Sequence, residues 1–370
     1  MDLERLVDKN LEWIAGMQAP NGALPMYPVR KPGDSSKICP YFSEFAGLSL
    51  LLRPAKYSDN VRRYMDWHIA HLNTAETDYN GEEGTIYDYV LTLDEDGTFR
   101  EEIMIDPATG GPLYDSTDSY AGLFLHLLLE YSRTTGDIGY IKSNADAIDR
   151  SVKAMLCTLD EGLTWAKPDY KVKYLMDNCE VYRGLCSAVD LYSEILLPGC
   201  ADQERAEYVR QEIGRLTEIK KKLYESIERF LWNDADDSYY VGVVEGNKGI
   251  PEKTDWELFY PDALAQLFPV IMGLSSTENP RAVSLYKKFD QHFSTADTAW
   301  EKMKGQRLGK HFINGLIVYN AALMGDFSKV ETYMKIFGEK IVDKGFSFPA
   351  YNADVAQVAL AAEILMKERS

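Results

Sequence analysis

Histidine and cysteine are scarce in this chain of 370 residues, which has five of each. The cysteines form no Cys-x-x-Cys pair, and their odd number argues against a disulfide framework. They are Cys39, Cys157, Cys179, Cys186 and Cys200. We therefore expect a reducing compartment and a cytoplasmic protein. The first residues also show no basic or apolar leader region. The alternative is a secreted protein whose signal peptide had been removed, which would look the same.

The histidines lack the spacing of metal ligands. None belongs to a His-Glu-x-x-His or mixed Cys/His pattern, and the chain has neither a Gly-x-Ser-x-Gly elbow nor a phosphate-binding Gly-rich loop. We therefore expect no metal and no cofactor. His126 stands in an apolar segment and is interpreted as a core residue.

Positive charge is also in deficit, because the net charge is -18 and the isoelectric point is near 4.8. Such a chain repels phosphate backbones and anionic membrane surfaces, so we expect neither nucleic acid nor a membrane as a partner. A neutral or cationic ligand fits better. No apolar run could span a bilayer and no flexible linker divides the sequence, so residues 1–370 are expected to form one domain.

Two kinds of helical segment alternate along the chain. Amphipathic segments, which are expected on the outside, cover residues 3–18, 58–72, 138–159, 202–230, 281–293 and 327–342. Between them lie segments that are apolar on nearly every side, such as residues 263–273, which predicts inner helices. A β-hairpin is predicted between residues 86–90 and 99–105, joined through Asp96-Gly97.

Each apolar segment is preceded by a short polar and aromatic stretch, of which residues 114–120, Tyr-Asp-Ser-Thr-Asp-Ser-Tyr, are the clearest. Six alternating helical hairpins would close into a double ring, an all-α (α/α)6 toroid with small β-hairpin insertions. All inner helices of such a ring begin at the same end. The polar and aromatic stretches would therefore line one mouth.

The whole chain resembles the six-hairpin, (α/α)6-toroid glycosidase superfamily, whose active site lies at the N-termini of the inner helices. Three stretches are also similar to motifs of the endoglucanase-type family eight of the glycoside hydrolases. They are Ser43-Glu44-Phe45-Ala46-Gly47-Leu48 for its acid, Thr117-Asp118-Ser119, and Tyr260-Pro261-Asp262-Ala263 for its base. Because Pro261 is inserted and no Arg follows Ala263, the polysaccharide specificity of that family is not expected to carry over.

Glycosidic hydrolysis needs a carboxylic acid that protonates the leaving oxygen and a carboxylate that activates water or attacks carbon. Glu44 is the candidate acid, because the aromatic residues Tyr41, Phe42 and Phe45 around it would exclude water and raise its pKa. The structural alternative is a glutamate placed in a first helical turn by the helix dipole.

Asp262 is the candidate base, since a helix N-terminus favours the ionised carboxylate. A simple N-terminal cap would look the same. Asp118 and Asp115 are candidates for gripping sugar hydroxyls or positioning water, and either is a rival for the base. For Asp118 the alternative is a first-turn residue behind a Ser116 or Thr117 cap.

Other polar and aromatic residues near the predicted mouth are candidates for binding the sugar, because flat amphipathic rings cover the apolar faces of sugars. They are Tyr41, Asp115, Tyr120, Tyr174, Asp177, Glu180, Trp256, Glu257, Tyr260, His311, Tyr351 and Asn352. Asp177 to Glu180 also has the spacing of a capping box, and Trp256 fits a core position equally well.

The sequence therefore predicts a glycoside hydrolase that cleaves an oligo- or polysaccharide with two carboxylates, and the family resemblance implies inversion. A sugar epimerase or a polysaccharide lyase on the same fold is one alternative, with His311 as the base. A carbohydrate-binding protein without the acid pair is the other.

Overall fold

The computed structural model describes residues 2–293, 315–346 and 350–370. Most of these residues are helical. The helices are α1 (Leu3–Ala15), α2 (Pro40–Leu50), α3 (Pro54–Ala70), α4 (Asp118–Thr135), α5 (Ile138–Ser143), α6 (Ala145–Leu156), α7 (Leu175–Asp190), α8 (Gln203–Ser226), α9 (Phe268–Ile271), α10 (Pro280–Phe293), α11 (Gly315–Leu323), α12 (Phe327–Lys340) and α13 (Asn352–Arg369).

The helices form an inner and an outer ring. The inner helices α2, α4, α7, α9, α11 and α13 each pack against the next, and α13 packs back against α2, so the inner ring closes. The amphipathic helices α1, α3, α6, α8, α10 and α12 lie outside it. This is the all-α (α/α)6 toroid that the alternation of segments predicts.

Two turns from an inner to an outer helix show how a Gly-Asp pair reverses the direction of the chain. Gly136 ends α4 in the left-handed conformation, and the side chain of Asp137 then caps α5 by accepting from the Tyr140 N–H. Gly325 and Asp326 repeat the pattern between α11 and α12. Glycine adopts positive φ without strain and Asp caps orphan N–H groups, so this pair reverses the chain sharply.

The predicted β-hairpin is confirmed, with a small shift of its first strand. Strand β2 (Tyr89–Leu93) pairs antiparallel with β3 (Phe99–Ile103), and β1 (Ser35–Ile38) pairs with the other edge of β2. The remaining strands are β4 (Leu159–Asp160), β5 (Leu163–Thr164), β6 (Lys173–Tyr174), β7 (Trp232–Asn233), β8 (Ser238–Tyr239), β9 (Gly242–Val244) and β10 (Lys248–Ile250). Strand β6 leads directly into α7, and β1 leads into α2 through Cys39.

Two predicted helices are shorter than expected. The inner helix predicted for residues 263–273 is a π-helical turn at Phe259–Ala263 followed by the short α9. Pro269 lies in the first turn of α9, and because proline has no N–H it cannot continue a helix from the preceding turn. The outer segment 138–159 is divided at Asn144 into α5 and α6.

A continuous apolar core fills the space between the two rings. All five cysteines are free thiols. In the part of the chain that the structure describes, none of the helices has both the length and the apolar character that crossing a bilayer requires.

Candidate active site

Two glycines let α4 and α7 approach each other closely. A Cβ atom on Gly184 would lie 2.4 Å from Gly122 Cα, and one on Gly122 would lie 2.9 Å from the Glu180 carbonyl oxygen. Any side chain would push the helices apart. The contact places the first turns of both helices side by side, with Asp118 on α4 and Asp177 and Glu180 on α7. We call Asp118, Asp177 and Glu180 the acidic cluster.

Asp118 has no exposed surface, but its carboxylate accepts hydrogen bonds from neighbouring protein groups. Its Oδ1 accepts from Ser116 Oγ at 2.6 Å and from the Ser119 N–H at 2.8 Å. Burial raises the pKa of Asp118 to about 6, and these hydrogen bonds oppose the rise. The Thr164 hydroxyl also lowers the pKa of Asp118, although Oδ2 is buried and has no described hydrogen-bond partner within 3.5 Å.

Asp177 is the cluster member with the most exposed surface, being half-buried. Burial and the charges of Asp118, Glu180 and Asp115 raise its pKa well above the ordinary value. The capping box predicted for Asp177 to Glu180 is wrong, because α7 begins at Leu175 with Tyr174 as its N-cap residue. Asp177 therefore lies inside the first turn and its carboxyl group is not used as a cap.

Glu180 lies deeper than Asp177 and is nearly fully buried. Its pKa is raised well above the ordinary value by burial and by the charge of Asp118, while hydrogen bonds with Tyr41 and Ser119 oppose this shift. Three carboxyl groups this close cannot all be ionised at neutral pH, so the cluster holds at least one proton.

Glu44 lies behind the cluster and has no exposed surface. Its Oε1 is 3.5 Å from His68 Nδ1, and the His68 ring stacks on Phe124 with ring centroids 3.6 Å apart. Burial raises the pKa of Glu44 and lowers that of His68, so both groups favour their neutral forms. The charge of Glu44 also raises the pKa of Glu180, which shows that the pair adjoins the cluster.

Aromatic residues surround the cluster on the side of α2 and β6. Tyr260 and Asp177 both raise the pKa of Tyr41 and of Tyr174, so these three tyrosines and Asp177 lie together. The Tyr174 hydroxyl is 3.0 Å from that of Tyr170. Such rings offer the flat surfaces that bind sugar rings.

A second buried polar network adjoins the acidic cluster through Asp115. The Tyr120 hydroxyl donates to Asp88 Oδ1 at 3.0 Å, and Lys37 Nζ lies 2.6 Å from Asp88 Oδ2. Cys39 Sγ lies 3.2 Å from the Tyr120 hydroxyl. Tyr120, expected to bind sugar, is therefore nearly fully buried and holds this network. Sequence reasoning missed Lys37 and Asp88, because they meet only through the pairing of β1 with β2.

Other predicted site residues have partners outside the cluster. Asp262 is buried and its Oδ1 accepts from the Asp255 N–H at 2.9 Å. Glu257 pairs with His292 on α10 at 2.8 Å, and the Trp256 ring stacks on the same histidine.

The last two candidates lie at the start of α13, and His311 lies outside the described residues. Tyr351 packs edge-on against Phe42, the neighbour of Tyr41. Asn352 is buried and donates to the Pro25 carbonyl oxygen at 3.1 Å. Among the described residues, no three His, Cys, Asp or Glu side chains are arranged as ligands for a metal ion.

Comparison with known proteins identifies the fold. No protein-family model matches the sequence, and no curated protein matches it either. Solved structures are similar: a glycosidase variant in complex with glucose has a TM-score of 0.63 at 12% identity, with 98% of this chain and 97% of that chain covered. A rhamnosidase from Klebsiella oxytoca with rhamnose bound has a TM-score of 0.56 at 11% identity, with 99% and 64% covered.

A D-mannose isomerase is similar to the same degree, with a TM-score of 0.55 at 12% identity and coverage of 99% of this chain and 97% of that chain. The chain thus has a glycosidase-type toroid fold that hydrolases and an isomerase share. At these identities the similarity shows the fold alone, and the family-eight resemblance is not supported by these neighbours.

Proposed function

We propose that the protein is a glycoside hydrolase that cleaves an oligo- or polysaccharide with two carboxyl groups of the acidic cluster. The observation that carries the proposal is that the close packing of α4 and α7 brings together carboxyl groups whose surroundings differ. Asp118 accepts two strong hydrogen bonds, whereas Asp177 gains its raised pKa from burial and from three neighbouring charges. Carboxyl groups whose environments separate their pKa values are suited to acid and base roles.

Asp177 is the proposed general acid. It keeps a proton to a higher pH than an ordinary aspartate, and it is the cluster member with the most exposed surface. A proton donor must reach the leaving oxygen of the substrate, and exposure next to Tyr41, Tyr174 and Tyr260 gives that access.

Asp118 is the proposed base. Two hydrogen-bond donors and a position in the first turn of α4 stabilise the ionised form of Asp118. Asp118 therefore ionises more readily than Asp177 and Glu180. A buried carboxylate oxygen without a hydrogen bond needs a partner, and a water or a substrate hydroxyl in contact with Oδ2 would provide one. Glu180, held by Tyr41, would keep that water or hydroxyl in place.

Glu44 and Asp262, the acid and base expected from the sequence, receive supporting roles in this proposal. Glu44 has no exposed surface and faces His68, so it acts on the cluster by shaping the pKa of Glu180. Asp262 uses one oxygen to hold the Asp255 backbone, and this bond anchors the segment that carries Tyr260.

The substrate class follows from charge. Asp115, Glu44 and the acidic cluster are all acidic, and Lys37, the cation beside Asp115, already pairs with Asp88. A uronic acid would be repelled by the ionised Asp118 and would compete with Asp88 for Lys37. The preferred substrate is therefore a neutral or amino sugar.

The stereochemical outcome depends on whether Asp118 acts through water. If it does, hydrolysis inverts the anomeric configuration, as enzymes with carboxyl groups roughly 6.5–9.5 Å apart do. Proton NMR of the first sugar released would show the opposite anomer to that of the substrate. The same anomer would mean that a carboxylate attacks carbon directly.

The proposal is tested with purified protein on neutral, amino and uronic oligosaccharides, read by reducing-end release and by mass. We expect release from a neutral or amino sugar, its loss in Asp177→Asn, and its retention in Asp94→Asn. Asp94 is the matched control, since it pairs with Arg100 on the hairpin surface. Isomerisation of a free sugar without release would favour the alternative function. Tight binding of an oligosaccharide without turnover would contradict the proposal and favour a carbohydrate-binding protein.

A further inference from the structure

A cavity lies inside the ring, away from the acidic cluster. Its volume is about 490 Å³, within the range of small-molecule sites, which is about 300–1,000 Å³. It is lined by residues from the second half of α2, from the middle and end of α4 and α13, and from α7, α9 and α11. The cavity therefore faces the end of the ring where the inner helices finish. We call it the far cavity.

The far cavity has an apolar wall and an exposed rim. The wall includes Phe45, Leu48, Leu123 and Ile271. Thr134 and Lys367 line the rim and are exposed, which marks the opening to solvent. A ligand would thus enter from this end with its apolar part directed inward.

Arg183 is the cation of this cavity that has no counter-ion among the described residues. No carboxylate in the part of the chain that the structure describes lies in salt-bridge distance of its guanidinium, although the side chain is half-buried. A Cβ on Gly273 would lie 2.1 Å from Arg183 Nη2, so the guanidinium rests directly on that backbone. Its charge acts on both His126 and Tyr319, which places it between α4 and α11.

The other charged groups of the far cavity are already paired. Glu363 accepts from Arg53 at 3.1 Å and lies 3.8 Å from Lys367. Glu130 lies 3.8 Å from Arg133. A half-buried guanidinium with five donors and no acceptor is unusual, because buried charges are normally paired. The described residues thus leave the donors of Arg183 free to bind an anion.

His126, which is hydrogen-bonded to Ser187, lies beside the guanidinium. His126 Nδ1 is 3.2 Å from Ser187 Oγ, which leaves Nε2 for a ligand. Burial and the charge of Arg183 lower the pKa of His126 to about 3, so the ring is neutral at physiological pH. The interpretation of His126 as a hydrogen-bonded core residue is thus incomplete, since the ring also lines a cavity.

We propose that the far cavity binds a small monocarboxylate with an apolar body. The carboxylate would pair with the Arg183 guanidinium, whose fork of N–H donors matches both carboxylate oxygens. His126 and Tyr319 would supply further hydrogen bonds, and the leucine-rich wall would cover the apolar body. This site is separate from the proposed hydrolytic site and does not depend on it.

Hexanoate is the probe, and its uncharged analogue hexanamide is the comparison. We expect isothermal titration calorimetry to detect hexanoate binding but no hexanamide binding. Arg183→Gln should weaken hexanoate binding at least tenfold, and Arg183→Lys should weaken it less. Arg210→Gln is the matched control, because Arg210 lies on the outer helix α8 and pairs with Glu207. Equal binding by the wild type and Arg183→Gln, or no hexanoate binding by the wild type, would overturn the proposal.

Methyl NMR of labelled methionines locates the ligand. Met272 lines the far cavity, whereas Met104 follows the hairpin strand β3. Hexanoate should shift the Met272 methyl signal, assigned with Met272→Leu, and leave that of Met104 unchanged. If Arg183→Gln does not fold, Leu48→Trp serves as the second variant, because it fills the cavity and should abolish binding while keeping the guanidinium. Binding that survives Leu48→Trp would also contradict the site.

Discussion

At the N-terminal end of the inner helices three carboxyl groups lie together, whereas at the C-terminal end the far cavity is lined by Arg183, which no described carboxylate pairs. The helix dipoles favour this division, since N-termini stabilise anions and C-termini stabilise cations. The dipole is nevertheless the weaker influence at the acidic end. Burial raises the pKa of Asp118, Asp177 and Glu180 in spite of it, and neighbouring carboxylates add to the rise at Asp177 and Glu180.

The two ends of a ring of parallel inner helices thus differ in charge and in packing. Close packing at Gly122 and Gly184 brings acids together at one end. At the other end the inner helices leave a space that their side chains do not fill. Four changes to the acidic end test how its activity and stability depend on charge, on burial, on helix packing and on one hydroxyl.

Asp118→Asn should have the largest effect. It removes the proposed base, and loss of a general acid or base costs about 10²–10⁴-fold in rate. Wild-type activity should also fall as the pH drops through about 6, because Asp118 must be ionised. Steady-state kinetics from pH 5 to 8 would check both points. Near-normal turnover in Asp118→Asn would exclude it from the mechanism, and Asp94→Asn is again the control.

Asp354→Asn should stabilise the protein at alkaline pH. Asp354, in the first turn of α13, accepts from the Gly315 N–H, and burial raises its pKa to about 8. Because the folded state holds this proton more tightly than the unfolded state, the wild type loses stability as pH rises towards 8. At 1.36 kcal/mol per pH unit, the loss between pH 5.5 and 8 is about 3 kcal/mol.

Urea denaturation at the two pH values measures this difference. The free energy of unfolding of Asp354→Asn, relative to wild type, should increase with pH. The exposed Asp343 provides the control variant Asp343→Asn, which should show no such trend. An identical pH trend in wild type and Asp354→Asn would mean that Asp354 ionises normally in the folded protein.

Gly184→Ala should both destabilise the fold and separate the acids. The new methyl group would meet Gly122 Cα and Met155 Sδ, and overpacking of this kind costs about 1–3 kcal/mol. We expect a lower melting temperature and a lower kcat. Gly214→Ala on α8 is the control, because a Cβ there meets nothing and alanine favours a helix. Equal melting temperatures for the two variants would contradict the close packing of α4 against α7 at Gly122 and Gly184.

Tyr41→Phe should have the smallest effect of the four. It removes the hydroxyl that bonds to Glu180, and one such bond is worth about 0.5–1.5 kcal/mol. We expect kcat to fall several-fold with little change in melting temperature. Tyr208→Phe on the outer helix α8 should change neither quantity. A fall as large as that of Asp118→Asn would give Tyr41 a direct catalytic role.

Much of the fold could be predicted because its cause lies in local pattern. The alternation of amphipathic and apolar segments sets which helices face solvent, and turns such as Gly136-Asp137 mark where they reverse. The convergence of Asp118, Asp177 and Glu180 follows from the ring, since inner helices share one direction. Their roles did not follow, because the closeness of α4 and α7 depends on Gly122 meeting Gly184, 62 residues later in the sequence.

The remaining features depend on contacts that no local pattern records. Lys37 and Asp88 meet because β1 pairs with β2. The burial and raised pKa of Glu44 agree with its aromatic neighbours in sequence, but its contact with His68 from α3 depends on helix packing. Arg183 resembles any solvated arginine in sequence, and only the placement of the surrounding helices shows that it lines a cavity.

The most direct test of the account is a comparison of leaving groups in Asp177→Asn. The substrate is an aryl glycoside of the sugar that the wild type releases, with a phenol acidic enough to leave without a proton. If Asp177 is the general acid, the variant should lose hydrolysis of the natural glycan by about 10²–10⁴-fold but keep most of its activity on the aryl glycoside. Equal loss on both substrates, or no loss on the natural glycan, would contradict the assignment.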